Sequence, residues 1–210
     1  MTRGYFITLE GGEGAGKSTQ AALLAAAIKV RGRVVVQTRE PGGSTGAEEI
    51  RALLVNGEAD RWSPIAETLL IYAARRDHVE RLIAPALDRG EVVICDRYAD
   101  STRAYQGAAG GAPCALIAAL ETMVLGEVRP DLTLMFDLPP AVGLARAVAR
   151  AGGEGRFETK DLAFHGQLRA AFLAIAADEP DRCVLIDALP APEIVAQAVW
   201  SAVARRLGLA

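Results

Sequence analysis

Gly11-Gly12-Glu13-Gly14-Ala15-Gly16-Lys17-Ser18-Thr19 lies close to the N-terminus, and Gly11 to Ser18 fits G-x-x-x-x-G-K-[ST] without a substitution. Just upstream, Tyr5-Phe6-Ile7-Thr8-Leu9 is a short apolar run rich in β-formers, which predicts a strand ending at Glu10. Just downstream, Ala21 to Ile28 consists of strong helix formers, with Leu24 and Ile28 one turn apart. Strand, glycine-rich turn and helix therefore follow in the order that a phosphate cradle needs. Glycines let successive backbone N–H groups converge on an anion, and the helix start adds the positive end of its dipole. Lys17 has the reach for β- and γ-phosphates, and the Ser18 hydroxyl is placed to ligate Mg²⁺. The stretch predicts binding of a nucleoside triphosphate over Gly11, Gly12, Glu13, Gly14, Ala15, Gly16, Lys17, Ser18 and Thr19.

The rest of the chain repeats this alternation. Arg33 to Thr38, Glu91 to Cys95, Leu132 to Asp137 and Cys183 to Asp187 read as further strands. Between them, Ala47 to Leu54, Pro64 to about Leu82, Ala115 to Leu125, Val142 to Ala151, Leu162 to Ala177 and Pro192 to Leu207 carry helical spacing. Pro64 suits a first helical turn, and Pro85 marks a kink or a join. Ser101 to Gly107 reads as a polar stretch running into a glycine-rich loop. Five apolar strands alternating with helices predict a three-layer α/β fold, a five-stranded parallel sheet covered on both faces. The reading is one domain over residues 1–210, with a short lid at about 146–160.

Composition narrows the class. The 210 residues are 51% hydrophobic and 23% charged, ordinary proportions for a globular protein with a real core. A formal net charge of −3 argues against general binding to nucleic acid or to an anionic membrane. Neither a membrane-spanning run nor a signal-peptide pattern is found, and Cys95, Cys114 and Cys183 form no C-x-x-C pair. These features predict a cytoplasmic protein with buried free thiols.

A GTPase would need N-K-x-D, and the only asparagine, Asn56, precedes Gly-Glu-Ala. A small kinase or a nucleotide-gated binding module remains. Arg39, Arg51, Arg75, Arg97 and Arg103 fall near the expected binding edge, and Arg146, Arg150 and Arg156 cluster by the lid. A second phosphorylated ligand needs such guanidinium clamps, and a γ-phosphoryl group in transfer needs cations on its oxygens. Neither His78 nor His165 is expected at the binding edge, and both read as structural. An acceptor that is itself a phosphate monoester needs no general base, because its second pKa is about 6. A nucleoside monophosphate fits that requirement better than a sugar hydroxyl.

Phe6 to Thr19, Thr38 to Gly43, Tyr72-Ala73-Ala74-Arg75, Asp96-Arg97-Tyr98 with Ser101 to Gln106, and Arg129-Pro130-Asp131-Leu132-Thr133 together resemble the thymidylate kinase family, in order and over nearly the whole chain. The resemblance implies a nucleoside-monophosphate-kinase fold, phosphoryl transfer from ATP–Mg²⁺ to dTMP, and a homodimer. It implies that Arg75 meets the thymine, that Arg97 grips the acceptor phosphate, and that Asp96 joins Ser18 at the metal. Arg51 then lies near the acceptor phosphate, and Ser101 in the same pocket. Thr102 and Gln106 face the base edge, Tyr105 the deoxyribose, and Glu40 with Pro41 the pocket wall. Arg156 corresponds to the lid arginine of bacterial members. Two departures stand out: Ile71 occupies a position where many members stack a phenylalanine on the base, and Gly152 to Gly155 is unusually rich in glycine. Kinases for UMP, dUMP or a deoxynucleoside, and the nucleotide switch, are the competing readings.

Overall fold

The computed structural model describes residues 3–56, 61–149 and 160–209. Its centre is a parallel five-stranded sheet in the order β2-β3-β1-β4-β5. The strands are β1 (Tyr5–Gly11), β2 (Val35–Arg39), β3 (Val92–Asp96), β4 (Leu132–Asp137) and β5 (Cys183–Asp187). The last two match the sequence expectation to the residue, and β1 runs on through Glu10 into the phosphate loop. In register, Leu9 pairs with Asp96 and Asp96 with Arg39, so the chemistry-bearing strand ends lie side by side at one edge.

Alternation within the strands builds both faces. Ile7 and Leu9 of β1 and Leu132, Leu134 and Phe136 of β4 point into one core. That core is closed by Leu24 and Ile28 of α1 (Lys17–Val30) and by Val195, Val199 and Val203 of the C-terminal helix α9 (Pro192–Leu207). Phe6 and Val93 point the other way, onto Val79, Ile83, Leu87 and Leu125. Each such side chain contributes roughly 1.5–3 kcal/mol on burial, so both faces of the sheet are strongly specified.

Between the strands lie α2 (Thr45–Val55), α3 (Pro64–His78), α4 (Ala84–Asp88), α5 (Ala99–Thr102), α6 (Cys114–Leu125), α7 (Pro140–Ala149) and α8 (Leu162–Asp178). Ser63 caps α3 by accepting from the Ala66 N–H, with Pro64 in the first turn as its fixed φ suggests. A π-helical turn over Val79–Ile83 joins α3 to α4, with the Ala84 N–H donating to the Val79 carbonyl. Pro85 explains the join, since it has no N–H to continue the regular ladder. The polar stretch over 101–107, for which no element was expected, is helical, and the glycine-rich loop follows it at 110–113. α5 runs into a second π-helical turn over Arg103–Ala109. No helix of the described residues is long and apolar enough to cross a membrane.

Candidate active site

The glycines of the loop bring α1 to a start at Lys17, with Gly16 in the left-handed region at φ 81°. Gly16 has no side chain to cap that helix start, so its first N–H groups are open to an anion. Gly14 and α7 meet backbone to backbone. A Cβ on Gly14 would lie 2.0 Å from the Gly143 carbonyl oxygen, and one on Gly143 would lie 2.4 Å from that of Glu13. Only glycine at both positions allows this approach.

Two cations converge here. The Lys17 ammonium donates to the carbonyls of Gly11 (3.1 Å) and Gly12 (2.8 Å). Burial and the neighbouring Arg97 push its pKa down to about 8. Arg97 donates to the Gly11 carbonyl (3.0 Å), to Ser101 Oγ (3.2 Å) and to Glu13 (2.9 Å), and its guanidinium lies over the Tyr105 ring. Burial opposes ionisation of Glu13, but Arg97 and Lys17 outweigh it and hold the carboxyl at about 2.

The backbone at Arg97 has φ 70°, a left-handed conformation that costs a non-glycine residue roughly 1–2 kcal/mol. Glu10 holds the turn. Fully buried, it accepts from the Tyr98 N–H (2.7 Å) and from Ser101 Oγ (2.6 Å), and the Arg97 N–H donates to the Leu9 carbonyl (2.9 Å). Burial first, and then the nearby Asp100, raise the Glu10 pKa to about 7. Ser18 Oγ donates to Asp96 Oδ2, which brings together the two oxygens expected at the metal. Among the described residues no group of three or more carboxylate, histidine or cysteine side chains could form a closed metal cage. Two protein oxygens beside a phosphate cradle fit Mg²⁺, which takes much of its coordination from phosphates and water.

From this cradle a cavity of about 450 Å³ extends to a second wall, formed by Glu40, Pro41, Arg51, Ile71, Arg75, Thr102, Tyr105 and Gln106. Arg75 is 2% exposed and stacked between the rings of Tyr72 and Tyr98. Its Nε donates to Glu40 (2.6 Å) and its Nη2 to the Tyr98 carbonyl and Thr102 Oγ1 (both 3.0 Å), while the buried Nη1 has no hydrogen-bond partner among the described residues. Burial disfavours its charge, but Glu40 outweighs that and raises the pKa. Arg51 donates to the Pro41 carbonyl, and Gln106 Nε2 to Glu67 (2.8 Å).

Most of the expected residues thus line one cavity, from Glu13 through Ser18 to Arg75 and Gln106. Gly11 ends β1 behind it, Gly12 lines a smaller void beneath the loop, and Thr19 stands exposed on α1. Arg156 and Arg150, with most of the expected lid, lie outside the described residues. Arg146 donates to the carbonyls of Ala188 and Leu189. Arg103 is a correction: it turns away to Glu121 and Glu179. Both histidines also lie closer than expected. His165 borders the void with Gly12 and Glu13, and His78 bonds Glu40. Glu67 and Leu54 line the cavity without having been anticipated; the helical spacing of Glu67 and Ile71, four apart on α3, was the available signal.

A phosphate cradle at the C-terminal edge of a parallel sheet, facing a second wall built on a buried arginine, defines a P-loop phosphotransferase. A family model described as thymidylate kinase matches residues 9–199, and the chain belongs to the thymidylate kinase family. A thymidylate kinase of Caulobacter vibrioides is 64% identical over 209 residues, covering 100% of both chains. One of Bradyrhizobium diazoefficiens is 54% identical over 98% of this chain and 91% of its own. The crystal structure of thymidylate kinase from Ehrlichia chaffeensis superposes with a TM-score of 0.80 at 33% identity, covering 96% of this chain and 99% of that one. The chain is accordingly an enzyme, a kinase that phosphorylates dTMP with ATP as donor.

Proposed function

We propose that the transfer takes place between the phosphate loop and Arg97, with the thymine against Arg75. The observation that carries this reading is Arg75, a buried guanidinium at the cavity wall held in place by Glu40, Tyr98 and Thr102. A guanidinium fixed in this way offers hydrogen-bond donors that suit a pyrimidine carbonyl. Gln106 and Thr102 flank it, and Ile71 adds aliphatic packing in place of a ring. Tyr105 sits between base wall and phosphate loop, where a deoxyribose would lie.

ATP lies with its phosphates on the N–H groups from Gly14 to Thr19, and Lys17 exchanges its carbonyl partners for β- and γ-oxygens. Arg97 exchanges Glu13 for the acceptor phosphate, and Arg51 supports the same group. Ser18 and Asp96 hold Mg²⁺, which supplies charge neutralisation at the phosphates. The dTMP phosphate attacks in line without a general base, so catalysis consists of positioning and electrostatic stabilisation. Family resemblance gives Arg156 the transferring group.

Exposed Leu53 on α2, Ile65 and Leu69 on α3 and Met123 on α6 support a homodimer through those helices. Cys95 and Cys183 are buried as expected and Cys114 is exposed, and all three as free thiols suit the cytoplasm.

ADP release with ATP–Mg²⁺ and dTMP, dUMP, UMP, dCMP or thymidine, against a blank without acceptor, tests the reading. Strong release with dTMP and weaker release with dUMP are expected. Preference for another acceptor would overturn the base assignment, and ATP binding without acceptor-dependent release would favour a nucleotide switch.

A further inference from the structure

His78 belongs to no wall of the cavity and is fully buried, so it touches no substrate. Both of its ring nitrogens are nonetheless committed. Nδ1 lies 3.0 Å from Glu40 Oε1, and Nε2 lies 2.8 Å from Thr38 Oγ1 on β2. With the Nδ1 proton donated to the carboxylate, Nε2 accepts the threonine hydroxyl. Gly43 closes over this bond: a Cβ there would lie 2.3 Å from His78 Nε2 and 2.4 Å from Thr38 Oγ1.

The other oxygen of Glu40 is the one that receives Arg75 Nε at 2.6 Å. A chain of hydrogen bonds therefore runs from the sheet through Thr38, His78 and Glu40 to the guanidinium. We propose that His78 is a positioning residue for the acceptor base: through Glu40 it fixes the plane of the Arg75 guanidinium at the cavity wall.

The chemistry of the arginine–carboxylate pair explains why a positioner is needed. A free carboxylate facing the Nε side of a guanidinium takes both Nε and Nη2 in a bidentate fork. Here Nη2 is spent instead on the Tyr98 carbonyl and Thr102 Oγ1. His78 restrains Glu40 from taking the fork by occupying Oε1. Without that restraint the carboxylate rotates, competes for Nη2, and turns the guanidinium away from the acceptor. Loss of one charge-assisted buried hydrogen bond corresponds to about a tenfold effect or more on binding of the group it aims.

This inference rests on Arg75 contacting the base, and the experiment separates the two ideas. His78→Asn keeps a donor at the Nδ1 position, whereas His78→Gln keeps one near Nε2 and leaves Glu40 Oε1 unpaired. Steady-state KM for dTMP, KM for ATP and kcat are measured for both, together with Arg75→Lys and Thr38→Val. The glutamine variant is expected to raise KM for dTMP about tenfold, with KM for ATP and kcat nearly unchanged. The asparagine variant should stay close to the native enzyme, and Thr38→Val should show a smaller rise of the same kind even if the histidine variants fold poorly. An asparagine variant no better than the glutamine one, or KM values for ATP and dTMP rising together, would overturn the proposal. An unchanged KM for dTMP in Arg75→Lys would remove the base assignment and the proposal with it.

Discussion

Gly143→Ala alters a residue of α7 that carries no side chain into the cavity, yet the structure makes it a severe change for the phosphate loop. The new Cβ would stand 2.4 Å from the Glu13 carbonyl oxygen, where ordinary contact begins at 3.4 Å. Either α7 or the loop must therefore retreat by about 1 Å, and the loop is the part whose N–H groups meet the phosphates. A misplacement of that size costs on the order of a hundredfold in rate, and the overpacking itself costs roughly 1–3 kcal/mol. Local propensity pulls the opposite way, because alanine inside a helix is better than glycine by about 0.5–1 kcal/mol. The sign of the outcome thus decides between packing and propensity. The assay is kcat/KM for ATP at saturating dTMP, with the thermal midpoint measured on the same sample. A lower midpoint and a large loss of kcat/KM are expected. A raised midpoint with unchanged kcat/KM would show that the close approach of α7 does not set the loop.

Further expectations concern charge. The Glu10 carboxyl titrates at about 7 against an ordinary 4.5, because burial and Asp100 disfavour its ionised form. Its stability contribution is therefore complete below about 4.5 and is lost as the pH rises through 7; at about 1.4 kcal/mol per pH unit this is on the order of 3 kcal/mol. Urea unfolding of native and Glu10→Gln proteins should show the native advantage shrinking between about pH 4.5 and about pH 7, and a constant difference would refute the assignment. Arg103→Met leaves Glu121 buried without its partner, so it should cost roughly 3–5 kcal/mol of stability while kcat/KM of the folded fraction stays native; a selective loss of dTMP turnover would return Arg103 to the site. Lys17→Ala should lower kcat on the order of a thousandfold with the circular dichroism of the native fold, and normal turnover would sink the placement of ATP.

Local signals made most of the fold legible. β4 and β5 are continuous apolar runs, and the phosphate loop announces itself by spacing, because both depend on neighbours in sequence. Tertiary pairing hid the rest. Arg103 looks like a site arginine until Glu179, 76 residues away, claims it. His78 looks structural because Glu40 and Thr38 are 38 and 40 residues distant, on the far side of α2. The helix over 99–109 escaped notice because Ser101, Thr102 and Gly107 are weak helix formers, and packing of Tyr105 against Phe164 and Phe172 of α8 overrides them.

Deleting Ala104 from the turn over Arg103–Ala109 would convert it into ordinary helix with better hydrogen-bond geometry, an attractive edit for anyone seeking a tougher protein. The same deletion would rotate everything beyond it by about 100° about the helix axis. Thr102 and Gln106 could then no longer share one cavity, and Tyr105 would leave both Arg97 and α8. At this point in the chain, regularity and activity are mutually exclusive outcomes of a single codon.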